Sequence, residues 1–289
     1  MVGIGEALWD LLPTGKKVGG APANFAFHAS QFGLESYAIS VLGKDALGEE
    51  LESELKKTGL GLIMPKVDFP TGTVQVTLDD KGAPSYEICT GVAWDNIPFT
   101  PEMEELAKRT SVVCFGSLAQ RNKVSRDTIT RFVASMPESE NVLKIFDINL
   151  RQNFYDKEVI ENSLHMSNVL KLNDDEIVIV KDLLGYQIDS PAEICKALIR
   201  DYQLRIVILT CGAHPSMVFT ETEESVIPTP KCKIVDTVGA GDSFTGSFAA
   251  GILKGFPIAK AHELAVKVAG YVCTQPGAMP VYPDGFLDW

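Results

Sequence analysis

At 289 residues, with 45% hydrophobic and 22% charged side chains, the chain has the make-up of a globular protein with one sizeable core. A net charge of -12 excludes general affinity for nucleic acid or an anionic membrane surface, and no stretch has the apolar length of a membrane span or the pattern of a signal peptide. The six cysteines (Cys89, Cys114, Cys195, Cys211, Cys232, Cys273) form no C-x-x-C pair and mostly sit in apolar runs, so free thiols in a reducing cytoplasm are expected.

Met1 to Leu12 reads as one short buried strand carrying Gly3, Gly5 and Glu6 and ending at Trp9-Asp10. A carboxylate there can accept two hydroxyl hydrogen bonds from a polyol, or simply initiate the turn before Pro13. Gly19-Gly20-Ala21-Pro22-Ala23-Asn24 opens a helix ending near Gly33, with Pro in its first turn. Asn24, an amide among Ala and Phe, must satisfy backbone groups or face a ligand. Tyr37–Leu42 reads as a second strand, and Asp45 caps a helix closed by Thr58-Gly59. From Thr71 to Asp79 the period changes to two, and Asp80-Lys81-Gly82 makes a hairpin turn. That antiparallel piece reads as a lid appended to a parallel α/β chain.

Thr100-Pro101 starts the next helix, followed by a strand at Ser111–Leu118 and a helix at Arg126–Met136. Leu143–Leu150 is a strand ending in Asp147-Ile148-Asn149-Leu150-Arg151, and Asp156–Met166 is a helix. Asn168–Leu172 is a strand ending in Asn173-Asp174-Asp175-Glu176, and Ser190-Pro191-Ala192-Glu193 is a capping box opening a helix to Tyr202. Ile206–Thr210, ending in Cys211-Gly212, and Met217–Thr220 are strands; the last helix spans about Lys260 to Thr274. Alternation of this kind predicts an α/β fold with a mostly parallel, doubly wound sheet and helices on both faces, in a single domain over 1–289. Ligands of such sheets bind at the carboxyl ends of strands. Asp10, Asp147 to Arg151, Asn173 with Glu176, Thr210 with Gly212, and Asp236 to Asp242 are all expected there.

The densest signal is Asp236-Thr237-Val238-Gly239-Ala240-Gly241-Asp242-Ser243-Phe244-Thr245-Gly246, approached by the apolar, strand-like Ile234-Val235. A helix follows from Asp242 to Lys254, with Gly255 as its stop. Small residues at a helix start leave backbone N–H groups reachable, which suits a phosphate or a developing oxyanion. The loop is expected to hold Gly241 at positive φ, so that a bulky side chain there would spoil the donors. Gly241-Asp242-Ser243 lacks the lysine of a Walker A loop, and Gly239-x-Gly241 lacks the third glycine of a dinucleotide fingerprint. Asp242 can be a helix cap, or a base beside an anion hole that deprotonates an acceptor hydroxyl in phosphoryl transfer.

Gly19 to Ala26 with Gly33, and Asp236 to Phe244, resemble the two signatures of the ribokinase-like (phosphofructokinase-B type) carbohydrate kinases. Gly5-Glu6-Ala7-Leu8-Trp9-Asp10, Asp147 to Arg151, Asn173-x-x-Glu176 and Gly277-Ala278 fall in the family's order, and the opening stretch is most similar to bacterial fructokinases. The resemblance covers essentially the whole chain. It implies a ribokinase-like fold with a small antiparallel β lid inserted from about 12–20 and 66–96, which in relatives often makes a homodimer contact. It implies ATP and Mg2+, with fructose as the leading sugar, 2-keto-3-deoxygluconate as runner-up and a nucleoside third. A sugar-binding protein without catalysis is the reading from another class, and Asp242 argues against it. By resemblance Asp242 is the base, and Gly239, Ala240 and Gly241 are the anion hole. Asp10, Gly19, Gly20 and Asn24 hold the sugar, and Arg151 faces a substrate carboxylate, the transferred phosphate or Asp147. Asn173 and Glu176 serve the phosphates and, through water, magnesium, while Thr210 and Gly212 line the nucleotide. A monovalent cation such as K+ is implied beside Asp236 and Gly277. Pro215, where relatives carry glycine, and Val266-Lys267, where many carry asparagine, imply a differently built adenine pocket.

Overall fold

Short apolar runs and capped amphipathic stretches set the element order in the computed structural model, which describes residues 1–12, 15–78 and 84–286. The chain runs β1 (Val2–Ile4), β2 (Leu8–Leu12), β3 (Gly15–Gly19), α1 (Ala21–Ser30), β4 (Tyr37–Ile39), β5 (Leu42–Gly43), α2 (Ala46–Lys56), β6 (Gly61–Ile63), β7 (Lys66–Val67), β8 (Gly72–Leu78) and β9 (Pro84–Ile88). It continues as α3 (Pro101–Lys108), β10 (Val112–Phe115), α4 (Lys123–Ala134), β11 (Leu143–Asp147), α5 (Lys157–Met166), β12 (Val169–Asn173), α6 (Asp174–Leu184) and α7 (Pro191–Tyr202). The last elements are β13 (Ile206–Thr210), β14 (Ser216–Phe219), β15 (Glu224–Ile227), α8 (Ala240–Leu253) and α9 (Ile258–Val272).

The central sheet has nine strands in the order β15-β14-β13-β12-β11-β10-β1-β4-β6, parallel from β6 to β13 and antiparallel at β14 and β15. Successive strand residues face opposite sides. Val113 and Phe115 therefore join the core beneath α4, with Ile129 and Phe132. Val112 and Cys114 join the other core, with Phe25 of α1 and Phe244 and Phe248 of α8. The mostly parallel, doubly wound α/β architecture is as the alternation predicts.

A second sheet, β3-β2-β8-β9, stands apart from the first, with antiparallel pairings at its flanks and a parallel one between β2 and β8. The hairpin turn at Asp80-Lys81-Gly82 lies outside the described residues. Met1 to Leu12 is not one strand: Gly5, at φ 154, breaks it so that β1 enters the central sheet and β2 the small one. Tyr37–Leu42 divides likewise, with β5 leaving to pair with β7. Ile234-Val235 form no strand; they are 65% and 57% exposed in the segment before α8. The short strands β6, β7 and β15 carried too little pattern to read.

Local capping chemistry fixes the joints. Asp45, Thr100, Asp156, Asn173 and Ser190 each accept a backbone N–H in the first turn of the helix they precede. Asp45 also accepts from the Thr71 amide (2.8 Å) and hydroxyl (2.6 Å), which ties α2 to the entry of β8. Burial alone would raise this carboxyl, but the bonds from Thr71 and Gly48 outweigh it and hold it below the usual range. Asp45→Ala is expected to cost about 1–3 kcal/mol of stability, measured by urea unfolding, and to loosen the small sheet.

Candidate active site

The amino end of α8 is the focus. Gly239 caps it in the left-handed region at φ 78, and a methyl built there would lie 2.7 Å from the Ala278 carbonyl oxygen. Gly239, rather than Gly241, is thus the position that backbone geometry reserves for glycine. The Ala240 amide donates to Thr237 O at 3.2 Å and the Ser243 amide to Gly239 O at 2.8 Å. Among the described residues the amides of Gly241 and Asp242 donate to no backbone acceptor. Of the predicted donors, Ala240 is therefore committed within its own turn; Gly241 and the amide of Asp242 itself face outward with the positive end of the dipole.

Asp242, on that first turn, accepts a 2.7 Å hydrogen bond at Oδ2 from Asn24 Nδ2 of α1. Helices α1 and α8 approach closely enough for this because Gly246 has no side chain: a methyl there would lie 2.8 Å from Phe25 O. Burial, then repulsion from Asp147, pushes the Asp242 carboxyl up to about 6, against the pull of Asn24, Lys171 and Arg151. Asn24 is buried, and its Oδ1 has no partner in the described structure. An orphaned buried acceptor beside the Asp242 carboxylate suits a donor hydroxyl on a ligand.

Two buried groups the sequence reading missed complete the floor. Lys171 of β12 donates to Asp147 Oδ1 at 3.0 Å, and Thr245 Oγ1 donates to Asp147 Oδ2 at 3.0 Å. Glu6, between β1 and β2, accepts from the Ala21 amide at 3.3 Å; burial first, and Asp242 behind it, push this carboxyl up to about 7. Glu6, Cys114, Asp147, Asn149 and Asp242 line a single cavity.

Asp10 does not lie at the carboxyl end of a central strand. It sits within β2, opposite Lys17, and its Oδ2 would be 2.6 Å from a methyl on Gly19. Gly20 precedes α1, and its carbonyl accepts from the Asn24 amide at 3.2 Å. Burial raises the Asp10 carboxyl against the attraction of Lys17 and Arg151. Arg151 is exposed, bonded to the Leu150 carbonyl rather than paired with Asp147, and within electrostatic reach of Glu6, Asp10 and Asp242. These four carboxylate- and guanidinium-bearing side chains, with Asn24, form one cluster.

The remaining residues lie along the ends of β12 and β13. Asn173 caps α6, accepting from the Asp175 and Glu176 amides at 2.9 and 2.8 Å. Glu176 returns a capping box, its two oxygens accepting from Leu150 N (2.9 Å) and Asn173 N (2.8 Å). Thr210 ends β13, and Gly212 lies in the turn Cys211–His214, where Thr229 Oγ1 donates to the carbonyls of Gly212 and His214. Asp236 is a loop clasp, accepting from Val238 N and Gly277 N at 3.1 Å each, with Lys17 Nζ 3.5 Å away.

A family model described as pfkB family carbohydrate kinase matches residues 13–284. An ATP-dependent 6-phosphofructokinase of Thermoanaerobacterium thermosaccharolyticum is 28% identical, over 97% of this chain and 90% of the relative. A fructokinase of Salmonella typhimurium is 26% identical, over 97% and 95%. The crystal structure of an uncharacterized sugar kinase from Pyrococcus horikoshii in complex with ATP superposes with a TM-score of 0.80 at 26% identity, covering 96% of this chain and 93% of that one.

Proposed function

Because the chain belongs to the pfkB family of carbohydrate kinases, we propose that it transfers the γ-phosphoryl group of ATP to a sugar hydroxyl, with D-fructose as the acceptor and Asp242 as the base. The observation that carries this is the Asp242 carboxylate on the first turn of α8, oriented by Asn24 and beside the unbonded amides of Gly241 and Asp242. The carboxylate accepts the acceptor's proton as its oxygen bonds to phosphorus, and the amides meet the charge on the transferred group. Asp10, Gly19, Gly20 and Asn24 hold sugar hydroxyls. Asn173, Glu176, Thr210 and Gly212 border the nucleotide, with Pro215 shaping its pocket.

Glu176 has both oxygens on amides, so it fits magnesium only through bound water, using its remaining lone pairs. When bound, that ion would supply positive charge against the nucleotide phosphates. Asp236, met by two amides and flanked by Lys17, has little left for K+, and no step here uses such an ion. The small sheet is proposed as the sugar's cover and as a homodimer surface.

The test is an ADP-release screen over fructose, fructose 6-phosphate, 2-keto-3-deoxygluconate and nucleosides. For fructose, Asp10→Ala leaves hydroxyls unpaired and should raise KM by about 10- to 100-fold, while Arg151→Ala should act mainly on kcat. A sugar acid reverses the pattern, since a guanidinium holds a carboxylate bidentately. A wild type that strongly prefers the acid would overturn fructose and leave the kinase standing.

A further inference from the structure

The loop before α8 lacks a Walker-type lysine, yet an ammonium reaches that helix end from another strand. Lys171 is buried, and a methyl built on Gly241 would lie 3.1 Å from its Nζ. Helical Cβ vectors lean toward the N-terminus. A group that would meet a Cβ on Gly241 therefore lies against the first turn of α8, next to the residue that carries one of the unbonded amides. The absence of a side chain at Gly241 is what lets the ammonium come so near. Asp147 holds it in place, 3.0 Å from Nζ through one oxygen and 3.0 Å from Thr245 Oγ1 through the other. The same hydroxyl lies 3.0 Å from the Gly241 carbonyl, so β11, β12 and the start of α8 are locked together.

We propose, on the kinase reading above, that Lys171 is an electrostatic positioning residue: its fixed positive charge beneath the anion hole serves Asp242 and the transferred phosphoryl group alike. In the step itself the acceptor oxygen–phosphorus bond forms, the bridging oxygen–phosphorus bond breaks with its electron pair leaving on ADP, and the proton goes to Asp242. Lys171 keeps its proton throughout; burial alone would lower its pKa, but Asp147, Glu176 and Asp242 hold it high. The groups facing Asp242 are Glu6 from the β1–β2 link, Asn24 from α1, Cys114 from β10, Asp147 from β11, Arg151 from the segment after β11, and Lys171. Only the last two are cations, and Arg151 is solvent-exposed while Lys171 is not.

The test compares Lys171→Met and Lys171→Met/Asp147→Asn with the wild type. The double variant removes both buried charges, so it should fold even where the single one leaves an unpaired carboxylate. Both should lose about 100-fold in kcat with KM for the sugar little changed. Carboxyl NMR of the ligand-free single variant should show Asp242 titrating at higher pH than in the wild type. Recovery of wild-type kcat in the double variant would mean that Lys171 only neutralises Asp147, and the proposal would fall. An unmoved Asp242 titration in a folded Lys171→Met protein would also overturn it. A wild type inactive on every acceptor sinks the kinase reading instead, because the titration is read without turnover.

Discussion

Asp242→Asn should fold and lose about 10²- to 10⁴-fold in turnover, measured by ADP release under saturating sugar and ATP. The amide keeps the size of the carboxylate and an oxygen to accept from Asn24, so the α1–α8 contact survives. What disappears is the carboxylate proposed to take the proton. The wild-type rate should fall as pH drops through about 6, where burial and Asp147 have pushed this carboxyl. The same shift has a sign for stability. An unfolded aspartate titrates near 3.9, below the folded value, so the wild type loses stability as pH rises from one to the other, and that loss persists above 6. The amide has no such loss. Near-normal turnover in the folded variant would reduce Asp242 to a structural partner of Asn24 in the α1–α8 contact, whereas melting at or above the wild-type temperature near pH 7.5, with turnover gone, is the result expected of a base.

Gly239→Ala should rank next. At φ 78 a side chain costs about 1–3 kcal/mol of backbone strain, and the new methyl would press on Ala278 at 2.7–2.8 Å. The turn can relieve this only by rotating the free amides of Gly241 and Asp242 off their direction. A loss of about 10²- to 10³-fold in kcat with sugar affinity retained is expected. Loss of sugar affinity with chemistry intact would place this loop against the wrong substrate. Gly241→Ala makes a useful contrast, since its strain is not conformational but comes from crowding Lys171.

What could be read from the chain was what the chain states locally. Asp45, Thr100, Asp156 and Ser190 announce their helices because a cap and the amide it bonds lie two or three residues apart, whereas Asn173, which caps α6 in the same way, reads only as the end of its strand and leaves that helix unannounced. Asp242 and Asn24 were legible because each is a polar side chain in an apolar or small-residue setting. Lys171 and Asp147 were not, although Asp147 was noted. They are 24 residues apart and meet only because β11 and β12 are neighbours, and a lysine in a strand otherwise reads as a solvated position. Glu6 passed as part of a strand because nothing local marks Gly5 as the point where the chain changes sheets. Ile234-Val235 misled for the opposite reason: β-branched residues imitate a strand even in an exposed connection. That the Ala240 amide is committed within its own turn could not be known without seeing Thr237 accept it.

The break at Gly5 bears on how this protein can be re-engineered. Glu6, which anchors α1 and through it Asn24, lies four residues from Asp10, the carboxylate that β2 brings to the small sheet, on one unbroken stretch of chain. The small sheet is accordingly not a cassette. A chimera that imports only the β8–β9 ribbon from a relative receives half a sheet, whose parallel partner β2 is still encoded by the host's first dozen residues. Grafts intended to exchange the small sheet would need to carry residues 1–30 along with 66–96, and with them the support of Asp242.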